Sequence, residues 1–263
     1  MARNAVIILA LTGLASCGGG SGDTADASSG GQDAIASGPG LAGLLIDPAG
    51  APAGNVDVLA CQATTCAFGE SDSDGRFDFA IEAPAEVALK THADLTRTPR
   101  LAAALEPVAI VDGTLVQVGD LYIPDLPAGA VIAAESEDPQ TLAAGDGLEL
   151  TLSRADLTPP IGEILFDVAA RKLAAQHIPP YPDLDGEEVV AVYAMHPFAA
   201  TSASPMAVRA ALDLPDGTQV KLRTISELDG NFSEAVPGQA DGGFVTTDPG
   251  TGITRITYLV ISR

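Results

Sequence analysis

Ser71-Asp-Ser-Asp-Gly75-Arg-Phe77-Asp-Phe79-Ala-Ile81 decides how this chain folds. Phe77, Phe79 and Ile81 alternate with Arg76, Asp78 and Ala80, a period of two that puts one apolar face on a strand. Asp72 to Gly75 supplies the turn before it, because Asp-Gly tolerates the backbone conformations that a tight reversal needs. Working outward, the same pattern recurs: Val56 and Val58 alternate with Asn55 and Asp57, Val116 and Val118 flank Gln117, and Val220 and Leu222 flank Lys221. Turn signals separate these runs at Asp47-Pro-Ala-Gly50, Asp112-Gly113, Pro215-Asp-Gly217, Asp229-Gly-Asn231, Asp241-Gly-Gly243 and Asp248-Pro-Gly250. Short strands so punctuated predict an all-β chain of antiparallel sandwiches with at most one short helix. The one helix candidate lies between Pro159-Pro160 and Pro179-Pro180. Ile161, Leu165, Val168 and Lys172 there fall at helical spacing, and the stretch 161–177 reads equally as a strand.

Three segments of the first half resemble the carboxypeptidase regulatory-like, transthyretin-type β-sandwich. They are Gly43-Leu-Leu-Ile-Asp47, Gly50-Ala-Pro-Ala-Gly54-Asn-Val-Asp-Val58 and Ser71-Asp-Ser-Asp-Gly75-Arg-Phe77. The likeness continues through Ala85-Glu-Val-Ala-Leu89 and Val116-Gln-Val-Gly119-Asp-Leu-Tyr122-Ile-Pro124, so it implies a sandwich over residues 41–126, with an insertion at Thr96 to Ala104 that the family pattern lacks. Val189-Val-Ala-Val-Tyr193-Ala-Met-His-Pro-Phe198, Leu214-Pro-Asp-Gly217, Asp229-Gly-Asn-Phe232 and Thr247-Asp-Pro-Gly250-Thr-Gly-Ile253 are similar to the β-sandwich shared by zonula occludens proteins, ankyrins and netrin receptors. That second resemblance implies a non-enzymatic module, assigned here to residues 127–263.

The N-terminus bears on location. Arg3 precedes an apolar stretch from Ala5 to Ala15, too short to span a bilayer and suited to a secretory signal. Leu14-Ala15-Ser16-Cys17 resembles the lipobox of bacterial lipoproteins, which implies cleavage after residue 16 and a diacylglycerol thioether on Cys17. Gly18, in place of an aspartate, points by the same resemblance to the outer membrane. Two or three acyl chains give stable anchoring where one does not. From Gly18 to Gly40, Gly (8), Ser (4) and Asp (3) make up 15 of 23 residues, so the segment 17–40 reads as a flexible tether with an r.m.s. span of roughly 25 Å.

Charge narrows the functions. With 35 acidic against 13 basic side chains, the 263-residue chain carries a formal charge of −22. Nucleic-acid binding needs Lys and Arg to neutralise phosphates, so nucleic acid is excluded as a partner. Three lysines (Lys90, Lys172, Lys221) do not make a basic face for an anionic bilayer, which leaves the lipid on Cys17 as the membrane contact.

No Gly-x-Ser-x-Gly, His-Glu-x-x-His or phosphate-binding glycine loop occurs, and no cofactor is implied. His92, His177 and His196 are far apart in sequence, and His196 reads as a strand-end residue. Glu135-Ser-Glu137-Asp138 and Glu187-Glu188 read as solvated loops. Asp72, Asp74 and Asp78 form a weak calcium candidate that lacks the terminal bidentate Glu of an EF-hand loop; the hairpin explains the same residues. Export leaves Cys61 and Cys66 in an oxidising compartment, where they are expected to pair.

These readings favour a non-catalytic surface lipoprotein that presents β-sandwich modules to an envelope protein or glycan. Two alternatives stay open. A carbohydrate- or small-molecule-binding accessory protein would show grouped surface aromatics, although the chain has no Trp and four Tyr. A hydrolase would show carboxylates brought together in a cleft.

Overall fold

The computed structural model describes residues 38–82, 85–111, 113–134, 138–160, 167–184 and 186–263. Cys17, the leader and residues 17–37 of the tether lie outside them.

The deciding stretch folds as its pattern requires. Strand β4 (Arg76–Ala80) alternates exposed and buried side chains residue by residue. The turn before it closes on Asp72, whose Oδ1 accepts the amides of Asp74 and Arg76 at 2.9 and 2.8 Å. Gly75 sits at φ +77°, where a side chain would also press on the Leu45 carbonyl, so the turn requires glycine.

In the first half, β4 pairs with β1 (Gly40–Ile46), which pairs on its other side with β8 (Leu115–Tyr122). The β1–β8 pairing is parallel, the one departure among the described residues from the expected antiparallel pattern. It is possible because the chain visits the opposite sheet before returning, which gives the long connection that a parallel pair needs. That opposite sheet runs β3-β2-β5-β7, from β2 (Asp57–Gln62), β3 (Thr65–Glu70), β5 (Ala85–Thr91) and β7 (Leu105–Ile110). Leu41, Leu45, Val58, Phe77, Phe79, Val87, Leu89 and Ile110 fill the space between the sheets. Each such side chain, fully buried, stabilises the fold by about 1.5–3 kcal/mol relative to exposure. The insertion at Thr96 to Ala104 has a place of its own: β6 (Arg100–Leu101) pairs with β9 (Asp125–Leu126), and Ala102, Ala103 and Ala104 are buried.

The second half closes a core with one sheet that curls until it is nearly a barrel. Its strands in chain order are β10 (Ala130–Val131), β11 (Gln140–Gly145), β12 (Leu148–Leu152), β13 (Leu157–Thr158), β14 (Asp167–Lys172) and β15 (Val189–His196). They continue with β16 (Ala200–Ala211), β17 (Gln219–Thr224), β18 (Val236–Asp241), β19 (Phe244–Thr247), β20 (Ile253–Ile256) and β21 (Tyr258–Ser262). The spatial order is β10-β14-β15-β21-β17-β18-β19-β16-β12-β11, with β13 and β20 added along β16. Its ends meet where β14 passes the β11–β12 turn: Asp146 Oδ2 accepts the Lys172 amide at 2.9 Å, and Asp146 also pairs with Arg171. Leu148, Leu150, Tyr193, Met195, Val208, Leu222, Leu259 and Ile261 fill the interior. Of the ambiguous stretch 161–177, residues 161–166 lie outside the described set; Asp167–Lys172 is strand and Ala175–His177 a single 3-10 turn.

The two halves share a third core. In β15 and β21 successive residues are buried on opposite faces, so Tyr193 and Leu259 line the barrel interior while Val192, Tyr258 and Val260 face outward from it. Those outward residues pack with Leu59, Cys61, Ala88, Leu105 and Leu126 of the first half. This accounts for the near-continuous apolar runs Val189–Met195 and Tyr258–Ile261, which a strand with one wet face would not show. The described residues therefore belong to one compact unit.

Candidate functional site

A cleft of about 170 Å³ opens at the junction of the two halves, between β7 and β8 on one side and the segment 173–180 on the other. β7 reads Leu105-Glu-Pro-Val-Ala-Ile110, an apolar strand interrupted by one acid. By strand alternation Glu106 shares a face with Val108 and Ile110, which belong to the first core. Glu106 is 8% exposed, and among the described residues its carboxylate has neither a hydrogen bond nor an ion pair. Burial pushes its carboxyl up to about 7 from an ordinary 4.5, because the charged form loses its water.

Two buried tyrosines lie near enough for the Glu106 charge to act on them. Tyr258 is fully buried, and its hydroxyl takes a backbone hydrogen bond from Leu105; burial raises its phenol pKa. Tyr181 packs edge-on against Phe232, with ring centroids 5.4 Å apart. Among the described residues its buried hydroxyl has no partner, and burial, then the nearby Tyr258 and Glu106, holds its pKa well above normal. At the mouth His177 stacks flat on Tyr122, ring centroids 3.9 Å apart and planes 8° from parallel. Asp120 is exposed on the same rim. The arrangement can accept hydrogen bonds and take or release a proton near neutral pH.

The residues singled out from sequence are dispersed over the molecule. Cys17 lies outside the described residues, as do Glu135, Ser136 and Glu137. Cys61 and Cys66 face each other on the β2–β3 hairpin and are joined by a disulfide. Of the calcium candidate, Asp72 is committed to the hairpin turn, Asp74 follows it in the same turn, and Asp78 lies on an exposed position of β4. No group of three or more His, Cys, Asp or Glu side chains that could hold a metal occurs among the described residues.

His92 is exposed. His196 does end a strand, and it is buried behind the Arg100–Asp167 pair; burial lowers its pKa, opposed by Asp167 and reinforced by Arg100. Glu187 corrects the expectation of a solvated loop, whereas Glu188 meets it, being an exposed loop residue. Glu187 binds Arg223, Lys221 and the Ser262 hydroxyl, with Arg223 Nη1 at 2.7 Å, and Glu188 pairs with Arg263. These bonds hold the Glu187 carboxyl far below the usual range. The cause is that β17 places Lys221 and Arg223, and the end of β21 places Ser262, beside the start of β15, a neighbourhood that only sheet order creates.

Glu106 belongs to no sequence motif. The available signal was a lone acid inside Leu105-Glu-Pro-Val-Ala-Ile110, an interruption of an apolar strand. No family model matches this sequence, and no curated protein matches it.

Proposed function

We propose that the chain is a non-catalytic, lipid-anchored envelope protein that holds a rigid β body away from the outer membrane and presents it to a partner. The lipobox-like Leu14-Ala-Ser-Cys17 and the Gly/Ser-rich segment to Gly40 support the anchor and the tether. The observation that carries the presenting role is the third core. Val192, Tyr258 and Val260 packed against Leu59, Leu105 and Leu126 make a single rigid unit of two halves that a flexible linker could have left independent. A rigid body fixes the relative positions of its surface loops and so presents one composite face.

A small-molecule-binding accessory role is the second reading, and the junction cleft with Tyr122, His177 and Glu106 favours it. The hydrolase alternative has its carboxylates, Glu106 and Asp120, in the same cleft.

Metabolic labelling of the full-length protein with an alkynyl fatty acid tests the anchor. Label is expected in the outer-membrane fraction and is expected to vanish in Cys17→Ala. Label retained in that variant overturns the anchoring. Hydrolase panels on the full-length protein in detergent test the remainder: turnover abolished by Glu106→Gln or Asp120→Asn would replace the presenter with an enzyme.

A further inference from the structure

We propose that the junction cleft is a binding site for a small organic ammonium ion, held by the Glu106 carboxylate. Glu106 is buried yet lines an open cleft, and among the described residues nothing donates a hydrogen bond to it. An ionised carboxylate only accepts, so whatever satisfies it must bring donors and, to repay desolvation, positive charge. Among the described residues the protein brings neither. No lysine or arginine of the described residues lines the cleft, and two that act on or pair beside its lining are committed elsewhere. Arg171, whose charge acts on Tyr122, bonds Asp125 and Asp146. Lys90, in register with Leu105 on β5, donates to the Glu227 carbonyl at 2.6 Å.

The remaining walls select among cations. Asp120 adds a second negative charge at the rim, while Leu173, Ile178, Pro179 and Pro180 offer an apolar surface for a short alkyl chain. Tyr122 and Tyr258 complete the lining with aromatic side chains, with one face of Tyr122 covered by His177. A divalent metal would need more oxygen ligands than two carboxylates supply. A sugar would want an open aromatic face, and His177 covers one face of Tyr122. An anion would meet Glu106 and Asp120. The unpartnered hydroxyl of Tyr181, close enough to Glu106 and Tyr258 to feel their charges, is a further polar atom awaiting a partner beside the cleft.

The Glu106 carboxyl titrates near 7, so an ammonium ion binds its ionised form and displaces a proton below that pH. Affinity then rises about tenfold per pH unit up to neutrality and levels off above it. The other groups facing the site are Asp120 and Tyr122 on β8, His177 in its 3-10 turn, Tyr258 on β21, and Tyr181. A carboxyl ¹³C titration reads Glu106 itself, apart from these groups.

The proposal goes beyond the anchored-presenter reading and does not rest on it; unlabelled Cys17 would leave it standing. The test is calorimetric titration of the full-length protein in detergent with n-butylammonium chloride, at pH 8 and pH 6, with n-butanol as the neutral control. Saturable binding at pH 8, about tenfold weaker at pH 6 and absent for n-butanol, is expected, as is its loss in Glu106→Gln. Silence at pH 8, equal binding of n-butanol, or full binding by Glu106→Gln overturns it. Should that variant fail to fold, the carboxyl ¹³C signal of Glu106 in the unaltered protein decides: n-butylammonium must move its titration to lower pH, and an unmoved titration overturns the site.

Discussion

The Arg100 guanidinium lies 2.9 Å from the Asp167 carboxylate and thereby ties β6 of the first half to β14 of the second. Both side chains are mostly buried, Arg100 also donates to the Pro127 carbonyl at 3.0 Å, and His196 stands behind Asp167 with Nε2 3.9 Å away. Removing one partner leaves the other charge desolvated. Arg100→Met is therefore expected to cost about 2–3 kcal/mol in urea unfolding, and Arg100→Met with Asp167→Asn to recover part of it. Equal stability of the single variant and the parent would show that the pair contributes nothing to joining the halves.

Glu106 sets a pH dependence of stability. Its folded-state pKa, about 7, lies above the ordinary 4.5, so between those values the folded state holds more protons than the unfolded one. Stability should fall as pH rises from about 4.5 to 7 and then stay low, a loss of about 3 kcal/mol from this group. Unfolding curves for Glu106→Gln should lose this slope and lie above the parent at pH 8. A parent and variant with parallel profiles would contradict the burial of a titrating carboxyl.

The Cys61–Cys66 bridge closes a very short loop on one hairpin, so the chain-entropy argument assigns it only about 2 kcal/mol. Reduction should loosen the β2–β3 turn and leave the rest folded. Amide hydrogen exchange under reducing conditions is expected to accelerate around residues 61–68 and to stay unchanged in β15 and β21. Global acceleration would assign the disulfide a larger role.

Gly230 carries the contact of the loop after β17 with the first half. It sits at φ +78°, and a Cβ there would stand 2.9 Å from the Val87 carbonyl and 3.1 Å from Pro107. Gly230→Val combines strain with a clash against backbone and should cost about 2–3 kcal/mol in thermal unfolding. Gly242→Val makes a control, since that glycine also has positive φ but open space around it. Equal losses at the two positions would mean that only the backbone angle matters and the docking contact does not.

Much of the fold could be read from pattern. Arg76–Ala80 alternates in sequence and in burial alike, because a half-buried strand is specified by its own residues. Asp72 and Gly75 announce their turn for the same local reason. The site was less legible. Glu106 and Tyr122 look like ordinary strand residues until the segment carrying Leu173, His177 and Pro179 closes over them from the other half. Glu187, the first of two acids in a row, reads as solvated until Lys221 and Arg223 arrive from β17.

By itself, then, the sequence determined the all-β class, its turns and the pairing of Cys61 with Cys66, all of which follow from residues near one another in the chain. Tertiary structure decided that the second half curls one sheet round its core, that Val192 and Tyr258 turn outward to join the first half, and that an ionisable group ends in a cleft between them with no partner among the described residues. Those outcomes depend on which surfaces meet. Burial, and with it the protonation of Glu106, is a property of that meeting and is not encoded at any single position.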